Sequence, residues 1–334
     1  MPPEGQVRCL LHEVCTADDG SMHAAHPTNG RITLDASMRM ASRRYDNHSL
    51  LRVFGTSAAL RRLHTLAPPS DFQFWTLPRE HQAGHDVQAD VLANPGQQTA
   101  LEGIARDAGI RGVRMQVLIE NIQANLNIQH ARRTSEGAEA TPHFRDYEET
   151  RSHIAHMVAM YPACASMHVI GTSYEGRDLV VVQIRSSNAS AGARPGFFVQ
   201  SLLHAREWLG GASALWMIEH MLRKHRAQDA SVTRLLERFD LFFLPMANPD
   251  GYMHTHTTDR MWRKTRSIHQ GSECIGADPN RNFDEQWSGI GSNWESVSRD
   301  PCSEVYHGPR PASEPEVATI QTFLRSRSFA VFVR

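Results

Sequence analysis

Apolar and polar residues alternate through residues 45–128 at the spacing of strands and helices. The pattern predicts, in this order, strand, helix, strand, strand, helix and strand at 50–54, 57–66, 72–77, 86–92, 97–108 and 114–119. Thr56 or Ser57 is the predicted cap of the first helix. This order of elements is typical of a small ferredoxin-like open sandwich.

A different pattern begins at residue 142, where near-continuous apolar strands alternate with helices. The predicted strands are 167–170, 179–184, 197–203 and 241–245. The predicted helices are 147–160 and 211–224. Strands that are apolar on both faces must be covered on both faces. Residues 142–334 therefore predict an α/β/α domain with a mixed central sheet.

Two further segments complete the predicted organisation. Residues 1–44 are polar and aperiodic, which predicts a disordered tail, and they lack the apolar core of a signal peptide. Residues 129–141 are small and polar apart from Arg132 and Arg133, which predicts an exposed linker that a protease could cut. A dibasic pair that occurs by chance is the alternative.

Composition narrows the classes of function. With 334 residues, of which 40% are hydrophobic and 21% charged, the chain can bury about two domain cores. The net charge of -1 offers no positive field for phosphate backbones, so no nucleic-acid partner is predicted. No apolar run reaches the roughly 18 to 20 residues of a membrane span, so no membrane partner is predicted either.

His204 and Glu207 follow the apolar stretch 196–203 and form a candidate metal site. An imidazole and a carboxylate suit zinc, and the end of a strand is where open α/β sheets place ligands. A histidine and a glutamate three residues apart also occur by chance. Catalytic zinc needs a third ligand, and each downstream candidate also fits an ordinary hydrogen-bonding role: His220 and His225 on the following helix, and His254, His256, His269 and His307 in predicted loops.

Three further polar residues suit peptide chemistry. Arg263 could stabilise an oxyanion, a contribution of roughly 3 to 4 kcal/mol. Arg281 beside Asn280 could bind a carboxylate with two hydrogen bonds. The alternative for both arginines is a solvated surface position.

Five cysteines occur, with no Cys-x-x-Cys pair. Cys274 and Cys302 flank a loop rich in Gly, Ser and Asn, and a bond between them would stabilise the fold by roughly 3 to 4 kcal/mol. That bond would imply an oxidising compartment. Two free buried thiols are the alternative.

Six motifs in the same order resemble those of the zinc metallocarboxypeptidases of the pancreatic carboxypeptidase A and B type in their proenzyme form. They are Tyr174-Glu175-Gly176-Arg177, His204-Ala205-Arg206-Glu207-Trp208, Asn248-Pro249-Asp250-Gly251-Tyr252, Trp262-Arg263-Lys264-Thr265-Arg266, Asp278-Pro279-Asn280-Arg281-Asn282 and Cys302-Ser303-Glu304-Val305-Tyr306-His307-Gly308. The resemblance covers residues 45–334.

The resemblance implies a role for each matching residue. His204 and Glu207 would bind one Zn²⁺ ion, and Arg263 would polarise the scissile carbonyl. The implied substrates are peptides or proteins with a free C-terminus, held by three residues: Arg206 in a subsite, and Asn280 and Arg281 at the terminal carboxylate.

The resemblance also implies a secreted zymogen. Cys274 and Cys302 would form the family disulfide, and residues 45–128 would be the inhibitory prodomain, with 118–123 as its final strand and turn. A trypsin-like protease would activate the enzyme by cutting after Arg132 or Arg133.

In the family, the strand that here reads 329–334 continues into the third zinc ligand, a histidine. The tyrosine that covers the substrate, the residue that selects the side chain and the glutamate that acts as general base follow later. We therefore expect residues 142–334 to be an incomplete, C-terminally truncated catalytic domain and the isolated chain to be inactive or a fragment. The alternative function is a non-catalytic binding or inhibitory module that uses the prodomain fold.

Overall fold

The computed structural model describes most of the chain after residue 41. The described residues are 8–10, 14–16, 22–24, 42–68, 71–75, 87–134, 144–186, 194–285, 287 and 297–333. Within the predicted polar tail, strands β1 (Arg8–Leu10), β2 (Val14–Thr16) and β3 (Met22–Ala24) pair antiparallel. The predicted disorder is therefore wrong for these nine residues. The sequence did not predict the strands, because a strand of three residues is too short to show an alternating pattern. The other residues up to 41 lie outside the described part.

Residues 45–128 contain the six predicted elements in the predicted order. They are β4 (Ser49–Gly55), α1 (Ser57–Leu66), β5 (Phe72–Phe74), β6 (Val87–Ala93), α2 (Gln98–Asp107) and β7 (Arg114–Ile119). The four strands form an antiparallel sheet in the order β5-β6-β4-β7. The Thr56 hydroxyl accepts a hydrogen bond from the Ala59 amide and so caps α1.

The core of this sheet lies between the strands and the two helices. Leu60 and Leu63 of α1 and Leu101 of α2 pack on β4 residues such as Val53, and all four side chains are fully buried. Each CH₂ group removed from water contributes about 0.8 kcal/mol, so this cluster holds the helices on one face of the sheet.

Helix α3 (Ile122–Thr134) corrects two boundaries of the sequence analysis. The predicted strand and turn at 118–123 gives way to the helix at Ile122, where the Asn121 side chain accepts a hydrogen bond from the Ala124 amide. The predicted linker 129–141 is helical up to Thr134, because it begins with good helix formers such as Gln, Ala and Arg. Residues 135–143 lie outside the described part.

The sheet of the C-terminal domain is mixed, as predicted. Its strands are β8 (Ala165–Thr172), β9 (Asp178–Ile184), β10 (Gly196–Gln200), β11 (Asp240–Leu244) and β12 (Phe329–Val333), in the order β12-β10-β11-β9-β8. Strand β10 is parallel to β11 and β12, whereas β9 is antiparallel to β8 and β11.

Helices cover both faces of this sheet. They are α4 (Tyr147–Met160), α5 (Trp208–Arg226), α6 (Ala230–Arg238), α7 (Pro249–Thr257), α8 (Pro279–Asn282) and α9 (Pro315–Arg325). Along β11, Leu241 and Phe243 pack with α4, α5 and α6, whereas Phe242 and Leu244 pack with α9. Successive side chains of a strand point to opposite faces, so the strand is buried on both sides. Among the described helices, none combines the length and apolarity that a bilayer crossing requires.

Candidate active site

The chain leaves strand β10 through a strained turn that carries the two predicted zinc ligands. The strand ends at Gln200, three residues before the predicted end, and Leu202 adopts a φ of +52°. A bulky residue rarely adopts a left-handed conformation, which costs roughly 1 to 2 kcal/mol. Leu202 is held there because its side chain is buried and its carbonyl accepts a hydrogen bond from the Asn248 amide. The strained turn therefore places His204 at the carboxyl end of the sheet.

His204 lies between two carboxylates. Its Nδ1 is 3.0 Å from Glu207 Oε1, and its Nε2 is 3.0 Å from Asp278 Oδ1. Burial alone would lower the pKa of His204, but the hydrogen bonds to Asp278 and Glu207 outweigh it and raise that pKa. Burial would likewise raise the pKa of Glu207, but its hydrogen bond to His204 and the nearby positive charges lower it.

Asp278 is the buried centre of the site. It is fully buried, and its Oδ2 accepts hydrogen bonds from Arg263 Nη2 at 2.9 Å and Arg263 Nε at 3.3 Å. Burial would raise the pKa of Asp278, but the charge of Arg263 and the contacts with His204 hold that pKa well below its ordinary value. Asp278 therefore joins the turn that carries the two predicted zinc ligands to Arg263, whose Nη1 lies 4.0 Å from Glu207 Oε1. The sequence analysis gave Asp278 no role, although it begins the quoted motif at 278–282.

The predicted carboxylate clamp lies on the short helix α8, which Asp278 caps by accepting a hydrogen bond from the Asn280 amide at 2.9 Å. Asn280 lines a cleft of about 740 Å³ together with His204, Arg206 and Glu207. Arg281 contributes to the lowered pKa of Asp278. The structure thus brings the predicted clamp next to the predicted metal ligands.

Arg206 connects this cleft to the N-terminal domain. Its guanidinium is buried, lies 3.4 Å from Glu304 Oε2, and packs over the Trp75 ring at 4.9 Å. Burial lowers the pKa of Arg206. In this structure the predicted subsite residue is therefore covered by an aromatic side chain from residues 45–128.

A second contact between the domains involves Tyr45, which is buried. Its hydroxyl donates a 2.6 Å hydrogen bond to Asp259 Oδ1, and the Arg43 amide donates to the Thr258 carbonyl. The same segment is bonded to the start of α3, because the Ile122 amide donates to the His48 carbonyl and the Gln123 amide to the Tyr45 carbonyl. No pattern in the sequence pointed to Tyr45, Asp259 or Trp75, because their partners are far away along the chain.

The six other candidate histidines do not complete a metal site. His254 and His256 lie on helix α7, and not in a loop as predicted. His254 packs against Trp262, and burial lowers its pKa to about 4. In the described part of the chain, no group of three or more His, Cys, Asp or Glu side chains is arranged to hold a metal ion.

The residues that are present nevertheless suit zinc. His204 Nδ1 and Glu207 Oε1 offer two donor atoms of the kind that zinc accepts, 3.0 Å apart. A ligating histidine usually gives its other ring nitrogen to a carboxylate, and Asp278 occupies that position. His204 and Glu207 thus offer two donor groups, whereas a catalytic zinc site uses three protein ligands.

The predicted disulfide is confirmed, with an S–S distance of 2.09 Å between Cys274 and Cys302. A third cysteine, Cys164, is buried and free. Arg132 and Arg133 lie in the last turn of α3, where only the backbone is described.

Residues 150–334 match the family model for zinc carboxypeptidases. Rat carboxypeptidase B is 36% identical over 264 residues, which cover 79% of this chain and 61% of that protein. Rat carboxypeptidase A2 is 37% identical over 258 residues, which cover 77% of this chain and 59% of that protein. The chain thus spans about 60% of the length of these curated relatives.

Two solved structures share the fold. The carboxypeptidase A from Helicoverpa armigera is 26% identical, with a TM-score of 0.71 over 86% of this chain and 69% of that one. Thrombin activatable fibrinolysis inhibitor is also 26% identical, with a TM-score of 0.69 over 84% of this chain and 69% of that one. Since the family model covers more than half of the chain, the chain belongs to the zinc carboxypeptidase family.

Proposed function

We propose that the chain is the precursor of a zinc metallocarboxypeptidase, which hydrolyses C-terminal amino acids from peptides and proteins. The observation that carries the proposal is the connected set of His204, Glu207, Asp278 and Arg263 at the carboxyl end of the sheet. His204 and Glu207 would hold one Zn²⁺ ion. The family match lies in residues 150–334 and does not favour the alternative of a non-catalytic binding module.

Zinc, when bound, polarises the scissile carbonyl as a Lewis acid and acidifies water. The residues around it have separate tasks. Asp278 fixes the orientation of the His204 ring and holds the Arg263 guanidinium in place. Arg263 stabilises the charge that develops on the carbonyl oxygen, and such a donor contributes about 3 to 4 kcal/mol.

The substrate would enter with its C-terminus first. Asn280 and Arg281 bind the terminal carboxylate, and a guanidinium is suited to this because it offers two parallel N–H groups. Arg206 contacts the residues before the scissile bond. This arrangement would make a free C-terminus a requirement for cleavage.

Residues 45–128 are proposed to be an inhibitory prodomain with a ferredoxin-like fold. The strand order β5-β6-β4-β7 with two helices on one face supports the fold. Packing of Trp75 on Arg206 supports inhibition, because it occupies the proposed subsite. A trypsin-like protease would cut at Arg132 or Arg133. The disulfide between Cys274 and Cys302 is consistent with secretion, since such bonds persist in oxidising compartments.

The experiment is a zinc determination on the purified chain together with peptide hydrolysis after trypsin treatment. Two peptides of one sequence are compared, one with a free C-terminus and the other amidated. Stoichiometric zinc and cleavage of the free peptide alone would support the proposal and would mean that another residue of this chain completes the site, contrary to the inactivity expected from the sequence. A chain without zinc and without turnover would overturn the proposal for this chain, which would then be a fragment or a non-catalytic module.

Variants assign the roles. Asp278→Asn should weaken zinc binding about 10- to 100-fold, because the amide cannot replace the charged partner of His204. Arg263→Met should lower kcat by about 100- to 1000-fold while zinc content stays the same. Arg223→Met removes an exposed guanidinium on α5 and is the matched control, for which neither quantity should change.

A further inference from the structure

We infer that Arg260 is a positioning residue for the turn 204–207, acting through Trp208. Trp208 follows Glu207 directly and begins helix α5. The inference rests on the proposed function only in treating His204 and Glu207 as zinc ligands.

Arg260 contacts the turn in two ways. Its Nη1 donates a 3.0 Å hydrogen bond to the carbonyl of Arg206, which lies between the two ligands. Its Cζ lies 3.7 Å from the centre of the Trp208 ring, close enough for the guanidinium to pack on the indole. A single side chain therefore holds the backbone on one side of Glu207 and the aromatic ring on the other.

Trp208 is itself fixed by helix α7. Its ring stacks on His256 at 4.2 Å with an interplanar angle of 8°, and its Nε1 donates a 2.8 Å hydrogen bond to Thr255 Oγ1. Thr255 Oγ1 in turn donates to the Tyr252 carbonyl. Arg260 thus contacts an indole ring that is packed against helix α7.

The segment that carries Arg260 also anchors the beginning of the turn. The Ala205 amide donates to the carbonyl of Arg263 at 3.1 Å, and Arg206 Nη1 donates to the carbonyl of Met261 at 3.3 Å. Helix α5 offers no substitute at this point, because Glu207 makes no side-chain capping hydrogen bond. Loss of the guanidinium would remove the hydrogen bond to the Arg206 carbonyl and the packing on the Trp208 ring.

The test is amide hydrogen exchange of the full chain at Ala205 and Glu207, combined with a zinc titration. Arg260→Met keeps the length of the side chain and removes the guanidinium. It should accelerate exchange at both amides and weaken zinc binding, each about 10-fold, while the β11 amides exchange at the wild-type rate. Arg260→Lys should give intermediate values, because an ammonium keeps the charge and lacks the planar face. Arg223→Met is the exposed control.

The outcomes separate positioning from general stability. Unchanged exchange at Ala205 and Glu207, equal acceleration in β11, or unchanged zinc affinity despite faster local exchange would each overturn the inference. If Arg260→Met does not fold, Arg260→Lys decides by the same comparison. If the wild-type chain binds no zinc, the proposed function fails, and the exchange rates alone decide the role of Arg260.

Discussion

Replacement of Glu316 by glutamine should stabilise the protein at neutral pH. Glu316 is fully buried near the start of α9, and its Oε1 accepts a hydrogen bond from the Tyr174 amide at 3.1 Å. Among the described residues, none donates a hydrogen bond to Oε2. Burial raises the pKa of Glu316 from 4.5 to about 7, and the charges of Asp250 and Glu314 add to the increase.

The direction in which the unfolding free energy changes with pH follows from proton binding. The folded chain binds the Glu316 proton more tightly than the unfolded chain does, so stability that is present below pH 4.5 is lost as the pH rises to about 7. The difference between these pKa values corresponds to about 3 kcal/mol. Glutamine has the same shape and no charge, and its amide can donate a hydrogen bond. Glu316→Gln should therefore gain about 3 kcal/mol relative to wild type between pH 4 and pH 8.

Urea unfolding followed by tryptophan fluorescence at pH values from 4 to 8 measures this difference. The exposed Glu237 of α6 provides the matched control, since Glu237→Gln should leave the pH dependence of the unfolding free energy unchanged. A free-energy difference between Glu316→Gln and wild type that stays constant across this range would refute the reasoning about burial.

Three further predictions concern stability and the contact between the domains. Gly276 has a φ of +77°, and an added Cβ would lie 2.0 Å from a backbone oxygen, so Gly276→Ala should lower the free energy of thermal unfolding by more than about 2 kcal/mol. Gly271 has a φ of +79° but open space around it, so Gly271→Ala should lower that free energy by only about 1 kcal/mol. Equal losses would contradict the steric argument. Cys302→Ser should lower the unfolding free energy by about 3 to 4 kcal/mol, and reduced wild type should match it. Tyr45→Phe removes the 2.6 Å hydrogen bond to buried Asp259 and should accelerate release of the cleaved N-terminal domain about 10-fold. Gel filtration after trypsin treatment measures the release. An unchanged rate would show that this bond does not hold the domains together.

Local signals in the sequence predicted some elements closely. Helix α4 begins and ends as expected, because Asp146 and Glu149 form a capping box before it and Pro162 follows it. The same holds for α1 with its Thr56 cap. Helices α3, α6, α7, α8 and α9 were not predicted. Helix α7 begins at Pro249 inside a quoted motif, but a helix of nine residues whose buried side chains do not follow one face gives little periodicity.

The candidate site shows the same division between local and distant information. The ligand types and the spacing of His204 and Glu207 pointed to zinc from the sequence. The role of Asp278 could not be predicted, because it depends on a contact across 74 residues with His204 and on a shared hydrogen bond with Arg263. The packing of Trp75 on Arg206 was equally unpredictable, since it joins two residues that are far apart along the chain.

The segment 43–48 has a consequence for the timing of the proposed activation. Its hydrogen bonds to Thr258 and Asp259 lie far along the chain from Arg132 and Arg133, and a cut after either arginine leaves them intact. In the proposed activation, cleavage and departure of the N-terminal domain would then be two successive events with different rates. Adding protease would accelerate only the cleavage, whereas departure would follow the lifetime of the contact and set a delay that is independent of the amount of protease.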